Sequence, residues 1–258
     1  MFRSAIARQL FLSVLALCLA GGAALAEGLS PSQVHKVGLR IWKNECAGTV
    51  EGLTSWNRGE DFASLGIGHF IWYPAGTKGP FEESFPGLVT SFKQRGVAMP
   101  GWLGKATSCP WSSRQAFVQD AQSERQKELR KLLAGTVREQ VEYIMERLNR
   151  TVPRLEAAGG KVVRQNYATL ARTPEGLFAM IDYINFKGDG INPSERYHGE
   201  GWGLAQVLAE MRGPDTKAFA EAAKRVLARR VKNSPPARNE KQWLAGWSNR
   251  CDGYRQPL

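Results

Sequence analysis

The chain has 258 residues, 43% of them hydrophobic, and carries 35 Lys plus Arg against 24 Asp plus Glu, a formal charge of +11. This composition is that of a globular protein, and it excludes a disordered chain, a collagen-like repeat and a disulfide-dense mini-protein. The length suffices for one large domain or two small ones. Because no internal repeat and no Gly-, Ser- or Pro-rich linker divides the chain, we predict a single domain after the N-terminal segment.

The first residues have the pattern of a secretory signal peptide. Two arginines precede an apolar run at residues 10–20, and the small-residue sequence of residues 24–26 follows. We therefore predict a signal peptide at residues 1–26 and a periplasmic or secreted mature domain at residues 27–258. Lipid attachment at Cys18 is the alternative, which the large leucine before it disfavours.

Export and charge together indicate the kind of partner. Removal of the two leader arginines lowers the charge from +11 to +9, and a protein this basic attracts polyanions. Outside the cytoplasm the polyanions are cell-wall polymers or lipid head groups rather than nucleic acid, and of these we expect an anionic cell-wall polysaccharide. A charged face that only keeps the protein in solution is the alternative. No later apolar run is long enough to span a bilayer, so we expect no stable membrane span. We also expect a monomer.

Three cysteines remain after the predicted cleavage: Cys46, Cys109 and Cys251. An odd number in an oxidising compartment predicts one disulfide and one free thiol. The spacing leaves open which two residues pair.

The mature chain opens with a strong helix signal at residues 30–33, where serine, proline and glutamine stand in the order of a capping box. The apolar residues that follow recur at helical spacing: Val34, Val37, Gly38, Ile41 and Trp42. At about 100° per residue, Glu45 lies within roughly 20° of Val34 and Ile41. Its carboxylate is therefore predicted to end the apolar stripe and point inward.

Most of the remaining chain also has helical spacing, with one exception near the N-terminus. Two apolar segments around the turn-like residues 57–60 predict a small hairpin, and residues 74–110, with several Pro and Gly, predict an elaborated loop. Helical spacing predicts helices around residues 117–133, 202–211 and 219–231. Capping signals at Thr136 to Glu139 and at Thr173 to Glu175 each predict the start of a further helix. A last short helix is predicted near Trp243 to Trp247, after a break at 233–236. The predicted fold class is α+β, mainly α: a helical domain with a small N-terminal β-hairpin element.

The informative motif is Glu45 at a helix end, a hairpin, and then Ser64-Leu65-Gly66-Ile67-Gly68-His69. This order resembles the lysozyme-like superfamily, in particular phage-type lysozymes and endolysins. The resemblance extends over residues 34–69 and, more faintly, over the closing segment at 238–243. It implies a lysozyme-like fold and a hydrolase, a glycosidase of peptidoglycan or a related polysaccharide, in which Glu45 is the general acid and Ser64 stands where the family has threonine.

The resemblance also implies a second carboxylate between Glu45 and Ser64. The interval is longer here than is usual in the family, and Asp61 is the nearest candidate, with Glu60 second. Glycosidic cleavage uses one protonated carboxylic acid for the leaving oxygen and one carboxylate to activate water or stabilise positive charge. An apolar face around Glu45 favours its uncharged form, whereas a polar turn keeps Asp61 ionised. Ser64 is expected to hold the attacking water.

A second polar cluster, rich in glycine, amides and aromatic residues, lies at residues 182–206. Such side chains suit sugar hydroxyls and stacking on pyranose rings. Asp189 or Glu195 is an alternative second carboxylate if the site is a cleft. The residues predicted to bind substrate, in both clusters, are Trp56, Glu60, His69, Asn185, Asp189, Trp202 and Gln206. His69 is expected to hydrogen-bond a neighbouring element rather than act as a base.

Other chemistries have little support in the sequence. With three His and no closely spaced Cys or His pairs, we expect no metal, and without a phosphate-binding glycine loop we expect no cofactor. Three alternatives stay open: a hydrolase for another glycan, a lytic transglycosylase that needs one carboxylate, and a catalytically silent wall-binding protein of the same fold. A positive charge disfavours a polycationic glycan such as chitosan.

Overall fold

The computed structural model describes residues 29–79, 81–193 and 196–258. The predicted signal peptide at residues 1–26, Cys18 and Glu195 lie outside the described residues. In the described part, eleven α-helices accompany one three-stranded antiparallel sheet. The predicted α+β class, mainly α, is confirmed.

The strands are β1 (Thr54–Ser55), β2 (Ala63–Leu65) and β3 (Phe70–Trp72). The helices are α1 (Pro31–Cys46), α2 (Phe85–Gln94), α3 (Gly101–Lys105), α4 (Arg114–Gln119), α5 (Glu124–Gly135), α6 (Val137–Gly159), α7 (Lys161–Leu170), α8 (Pro174–Lys187), α9 (Leu204–Glu210), α10 (Thr216–Asn233) and α11 (Leu244–Asp252). Single 3₁₀ turns occupy Glu51–Leu53, Pro236–Arg238, Glu240–Trp243 and Gly253–Arg255.

The predicted start of α1 is confirmed in detail. The Ser30 hydroxyl accepts the N–H of Gln33, and the Gln33 side chain accepts the N–H of Ser30 at 2.7 Å. The apolar stripe of α1 is buried against α6 and α8. A glycine is needed at position 38 because a Cβ there would lie 2.4 Å from Cγ1 of Val137 in α6. α1 and α6 therefore pack closely together at this position.

The predicted hairpin is present as β1 and β2, with Ser55 opposite Ser64. The sheet also has a third strand, β3, which the sequence analysis did not predict. The turn from Gly66 to His69 connects β2 to β3, and Gly66 adopts a φ of +71°. A Cβ on Gly66 would lie 2.4 Å from Oε1 of Gln140, which accepts the N–H of Ile67 at 3.0 Å. Gln140 of α6 therefore holds this turn in place.

Two predictions about the middle of the chain are wrong. Residues 74–110 are not one loop, because they contain α2 and α3, and α2 packs its buried Phe85 against Trp72 of β3. The capping box expected at Thr136 is absent because the Thr136 hydroxyl instead donates to the carbonyl of Leu132 at 2.8 Å. Thr136 is the one residue between the end of α5 and the start of α6.

The later helices follow the predicted pattern more closely. Thr173 caps α8 by accepting the N–H of Gly176 at 3.1 Å. The helices predicted at 202–211 and 219–231 are α9 and α10, and the closing helix is α11. The predicted pattern at 117–133 forms two helices, α4 and α5, and α7 was not predicted.

The predicted disulfide is also wrong for the described cysteines. Cys46, Cys109 and Cys251 are all buried free thiols. Burial raises the pKa of each to about 12, so each is a protonated thiol at neutral pH. The three residues pack as small apolar side chains in the core.

None of the helices in the described ranges combines the length and the apolar character needed to cross a bilayer.

Candidate functional site

Glu45 lies in the last turn of α1, where three elements meet. Its Oε1 accepts a hydrogen bond from Nη2 of Arg250 in α11 at 3.0 Å, and its Oε2 is 3.7 Å from Nδ1 of His69. The Glu45 side chain is 20% exposed, so solvent or a ligand reaches it. An ordinary structural glutamate also pairs with an arginine, so this ion pair alone does not distinguish a catalytic carboxyl group.

The turn from Gly66 to His69 is fixed to the end of α1 beside Glu45. The Cys46 thiol donates to the carbonyl of Gly66, with 3.5 Å between Sγ and O, and the Gly66 N–H donates to Leu53 at 2.8 Å. His69 ends the turn with a φ of 47°, an uncommon conformation for a residue with a side chain. These contacts hold the imidazole of His69 close to the Glu45 carboxylate.

The buried carboxylate of Asp182 in α8 shares the guanidinium of Arg250 with Glu45. Asp182 is 3% exposed and accepts from Nε and Nη2 of Arg250 at 2.8 Å each and from the Tyr254 hydroxyl at 2.7 Å. Asn44, the residue before Glu45, donates to the same carboxylate at 3.2 Å. Burial lowers the pKa of Arg250, but the hydrogen bonds and charge of Asp182, with the charge of Glu45, outweigh burial and raise it. Arg250 is thus a fixed cation between two carboxylates.

A cleft of about 470 Å³ lies next to this arrangement. One wall carries Gly68 and Phe70, the second is a face of α6, and the third is the end of α8 with the residues after it. Glu45 is not among the lining residues. Its contact His69 directly follows the lining residue Gly68, so the turn that approaches Glu45 is also the turn that lines the cleft.

The structure brings two of the predicted substrate-binding residues into this cleft. Asn185 in the last turn of α8 and Asp189 just after the helix both line it. Asp189 Oδ1 accepts the N–H of Ile191 at 2.9 Å, which fixes the orientation of the carboxylate. Asp189 is therefore the one candidate second carboxylate, among those in the described residues, that lines the cleft.

The predicted residues of the hairpin lie elsewhere. Trp56 is buried, 5.7 Å from Phe117 between ring centroids, and its indole N–H donates to the carbonyl of Glu60 at 2.7 Å. Glu60 accepts from the Asn57 amide at 3.2 Å, and Asp61 is exposed in the connection between β1 and β2. Ser64 is 4% exposed in the central strand β2. None of these hairpin residues lines the cleft.

Trp202 and Gln206 support the loop that follows Asp189. The guanidinium carbon of Arg230 lies 4.1 Å from the Trp202 ring centroid, and the Trp202 carbonyl accepts the Tyr183 hydroxyl at 2.8 Å. Gln206 accepts from the N–H of Gly203 at 2.9 Å and donates to the carbonyl of Gly190 at 3.1 Å. Neither residue lines the cleft, so their contacts position the residues that do.

Sequence reasoning included Asp182 in the second polar cluster but gave it no role, and it missed Arg250. Asp182 did carry a signal, because it interrupts the apolar run of α8, and a buried carboxylate requires a partner. Arg250 carried none, since its two carboxylate partners lie 68 and 205 positions away in the chain.

In the described residues, no group of three or more His, Cys, Asp or Glu side chains could hold a metal ion. No protein-family model, curated protein or solved structure matches the chain.

Proposed function

We propose that this protein is an exported, monomeric glycoside hydrolase with a lysozyme-like fold, which cleaves peptidoglycan with Glu45 as its general acid. The observation that carries the proposal is the position of Glu45. Glu45 lies in the last turn of α1, its Oε2 is 3.7 Å from Nδ1 of the histidine that ends the glycine-rich turn, and this turn lines a cleft of about 470 Å³ through Gly68. Glycosidic proton transfer requires a carboxyl group that the substrate can reach, and the Glu45 side chain is 20% exposed.

The environment of Glu45 supports both steps of such a reaction. In the first step the Glu45 carboxyl group donates its proton to the leaving oxygen of the glycosidic bond. After proton transfer, Arg250 stabilises the resulting carboxylate through the hydrogen bond at 3.0 Å. The same guanidinium is anchored on Asp182, so it remains in place through the cycle.

For the second carboxylate we propose Asp189 rather than Asp61. Asp189 lines the cleft, whereas Asp61 is exposed in the connection between two strands. In this arrangement Asp189 activates water or stabilises the positive charge that develops on the sugar. Asn185, one helical turn earlier, offers an amide to the sugar substituents.

A second candidate function has an observation in its favour. The hairpin carboxylates Glu60 and Asp61 do not line the cleft, so a mechanism in which Asp189 only binds the sugar leaves Glu45 as the one acting carboxylate. A lytic transglycosylase works in this way, because the sugar itself supplies the hydroxyl that closes the ring. A silent wall-binding protein of the same fold is the third reading, and it predicts binding without products.

The test is digestion of purified peptidoglycan, with several glucans and chitosan as controls, and identification of the products by mass. A hydrolase adds one water for each bond cleaved, whereas a transglycosylase releases ring-closed ends without added water. Binding without any product would contradict both enzymatic proposals and support the silent protein. Cleavage of a glucan but not of peptidoglycan would overturn the proposed substrate.

A further inference from the structure

Three arginines on one face of α6 line the cleft: Arg147, Arg150 and Arg154, here called the arginine face. They are spaced three and four residues apart, so they stack along one side of the helix. Asn185 and Asp189, at and just beyond the end of α8, line the same cleft.

The arginine face is incompletely neutralised by the protein. Arg147 pairs with Glu82, with 3.1 Å between Nη2 and Oε2. In the ranges that the structure describes, Arg150 and Arg154 are exposed and have no carboxylate within ion-pair distance. By contrast, Arg138 on the same helix pairs with Glu142 at 3.1 Å. Like charges four residues apart destabilise a helix, and an anion between them removes that repulsion.

We propose that the arginine face binds carboxylate groups carried by the glycan, namely the lactyl or stem-peptide carboxylates of peptidoglycan. This inference rests on the proposed function and names the part of the substrate that the cleft recognises. Guanidinium groups bind carboxylates through paired N–H donors, which gives both charge and direction. The sugar chain then lies between the arginine face and Asn185, with its acidic substituents turned toward α6.

The experiment measures binding in a Glu45→Gln parent, so that cleavage does not consume the ligand. The probes are a soluble peptidoglycan oligosaccharide and the same oligosaccharide with its carboxylates converted to amides. We expect amidation to weaken binding to the parent about tenfold, the sum of two exposed charge pairs. In the Arg150→Gln/Arg154→Gln variant we expect the acidic form to bind about as weakly as the amide, with no remaining difference between the two probes.

The matched control is Arg172→Gln/Arg212→Gln, which removes the same charge from two exposed positions outside the cleft. It should retain the preference for the acidic probe. Three results would overturn the inference. The first is that the control loses its preference for the acidic probe as fully as Arg150→Gln/Arg154→Gln does, and the second is that Arg150→Gln/Arg154→Gln keeps this preference unchanged. The third is that neither probe binds measurably. Preference for the acidic probe in a protein that cleaves no glycan would overturn the hydrolase proposal alone.

Discussion

Arg250 donates a hydrogen bond to Glu45 at 3.0 Å across 205 positions of sequence. The same guanidinium donates twice to the buried Asp182, which also accepts the Tyr254 hydroxyl. The end of α1, the middle of α8 and α11 are therefore joined through one cation. Because Glu45 also approaches His69, the position of its carboxylate is determined by contacts from several elements rather than by α1 alone.

Glu45→Gln should abolish glycan cleavage while leaving the fold intact. Glutamine keeps the shape of the side chain and can still accept from Arg250, but it has no proton to donate, and general acid catalysis is worth about 10²- to 10⁴-fold. Product release from peptidoglycan measures the loss of cleavage, and thermal unfolding measures whether the fold is retained. Glu51→Gln, at an exposed position of a 3₁₀ turn, is the matched control and should cleave normally. Near-full activity of Glu45→Gln would remove this residue from the mechanism.

Asp189→Asn should reduce cleavage more strongly than Asp61→Asn or Glu60→Gln. The asparagine oxygen can still accept the N–H of Ile191, so the loop keeps its geometry while the negative charge is lost. We expect a loss of about 10²-fold or more for Asp189→Asn, as for other acid-base groups. Initial rates on soluble peptidoglycan fragments measure it. If Asp61→Asn is the damaging substitution, the hairpin supplies the second carboxylate. If all three are harmless, a single-carboxylate mechanism is favoured.

Asp182→Asn should lower the free energy of unfolding by about 2 kcal/mol, because it leaves a partly buried guanidinium without its principal counter-charge. Full burial of both partners would cost more, but the Arg250 side chain is 33% exposed and solvent offsets part of the loss. Urea unfolding gives the value. Asp61→Asn makes the same chemical change at an exposed position and should stay within about 0.5 kcal/mol of the wild type. Equal stability of the two variants would show that the buried network contributes little.

Lys187 should make the protein more stable as pH rises from about 7 to about 10. Burial first, and then the charges of Arg230 and Arg250, lower the pKa of Lys187 to about 7, although Glu240 acts in the opposite direction. The pKa of a lysine in the unfolded chain is about 10.4. Between these values the unfolded state binds more protons than the native state, so the free energy of unfolding increases with pH.

The measurement is urea unfolding across this pH range for the wild type and for Lys187→Met. The difference between them should grow in favour of the wild type as pH rises, because the methionine variant cannot release a proton. Lys36→Met, an exposed substitution on α1, controls for loss of a lysine and should follow the wild-type profile. A constant difference between Lys187→Met and the wild type at all pH values would refute the prediction.

Cys46, Cys109 and Cys251 should resist thiol reagents in the native protein and react after unfolding. All three are buried, and burial raises the pKa of each thiol to about 12, which removes the reactive thiolate. Mass analysis of alkylated peptides, with and without denaturant, identifies each site. A peptide in which two of these cysteines are linked before any reagent is added would contradict the structure.

The parts of the fold that could be predicted are those with local causes. The capping signal at residues 30–33 and the helical stripe up to Ile41 depend on neighbours within one or two turns, and both were predicted correctly. Thr136 shows the limit, because its hydroxyl can either accept a backbone N–H of the following helix or donate to a carbonyl of the preceding helix, and it does the latter. The third strand was missed because β3 is three residues long and its pairing with β2 depends on the turn between them.

The residues of the candidate site also divide into those with a local signal in the sequence and those without one. Glu45 could be found because it ends an apolar stripe and precedes a recognisable turn sequence. Its partner Arg250 could not, since a single arginine in a basic chain has no local mark of an ion pair 205 positions away. The cysteine prediction failed for a related reason. Counting an odd number of thiols says nothing about whether the fold brings any two of them together.

The wide separation of Glu45 and Arg250 in the sequence has a consequence for synthesis of the protein. Glu45 is translated early, but the cation that holds its carboxylate follows only after a further 205 positions have been added. A nascent chain that has already formed α1 and α8 therefore carries both Glu45 and the Asp182 carboxylate without their shared counter-ion. The hydrogen bond that holds its candidate acid can therefore form only after α11 has been synthesised and has docked.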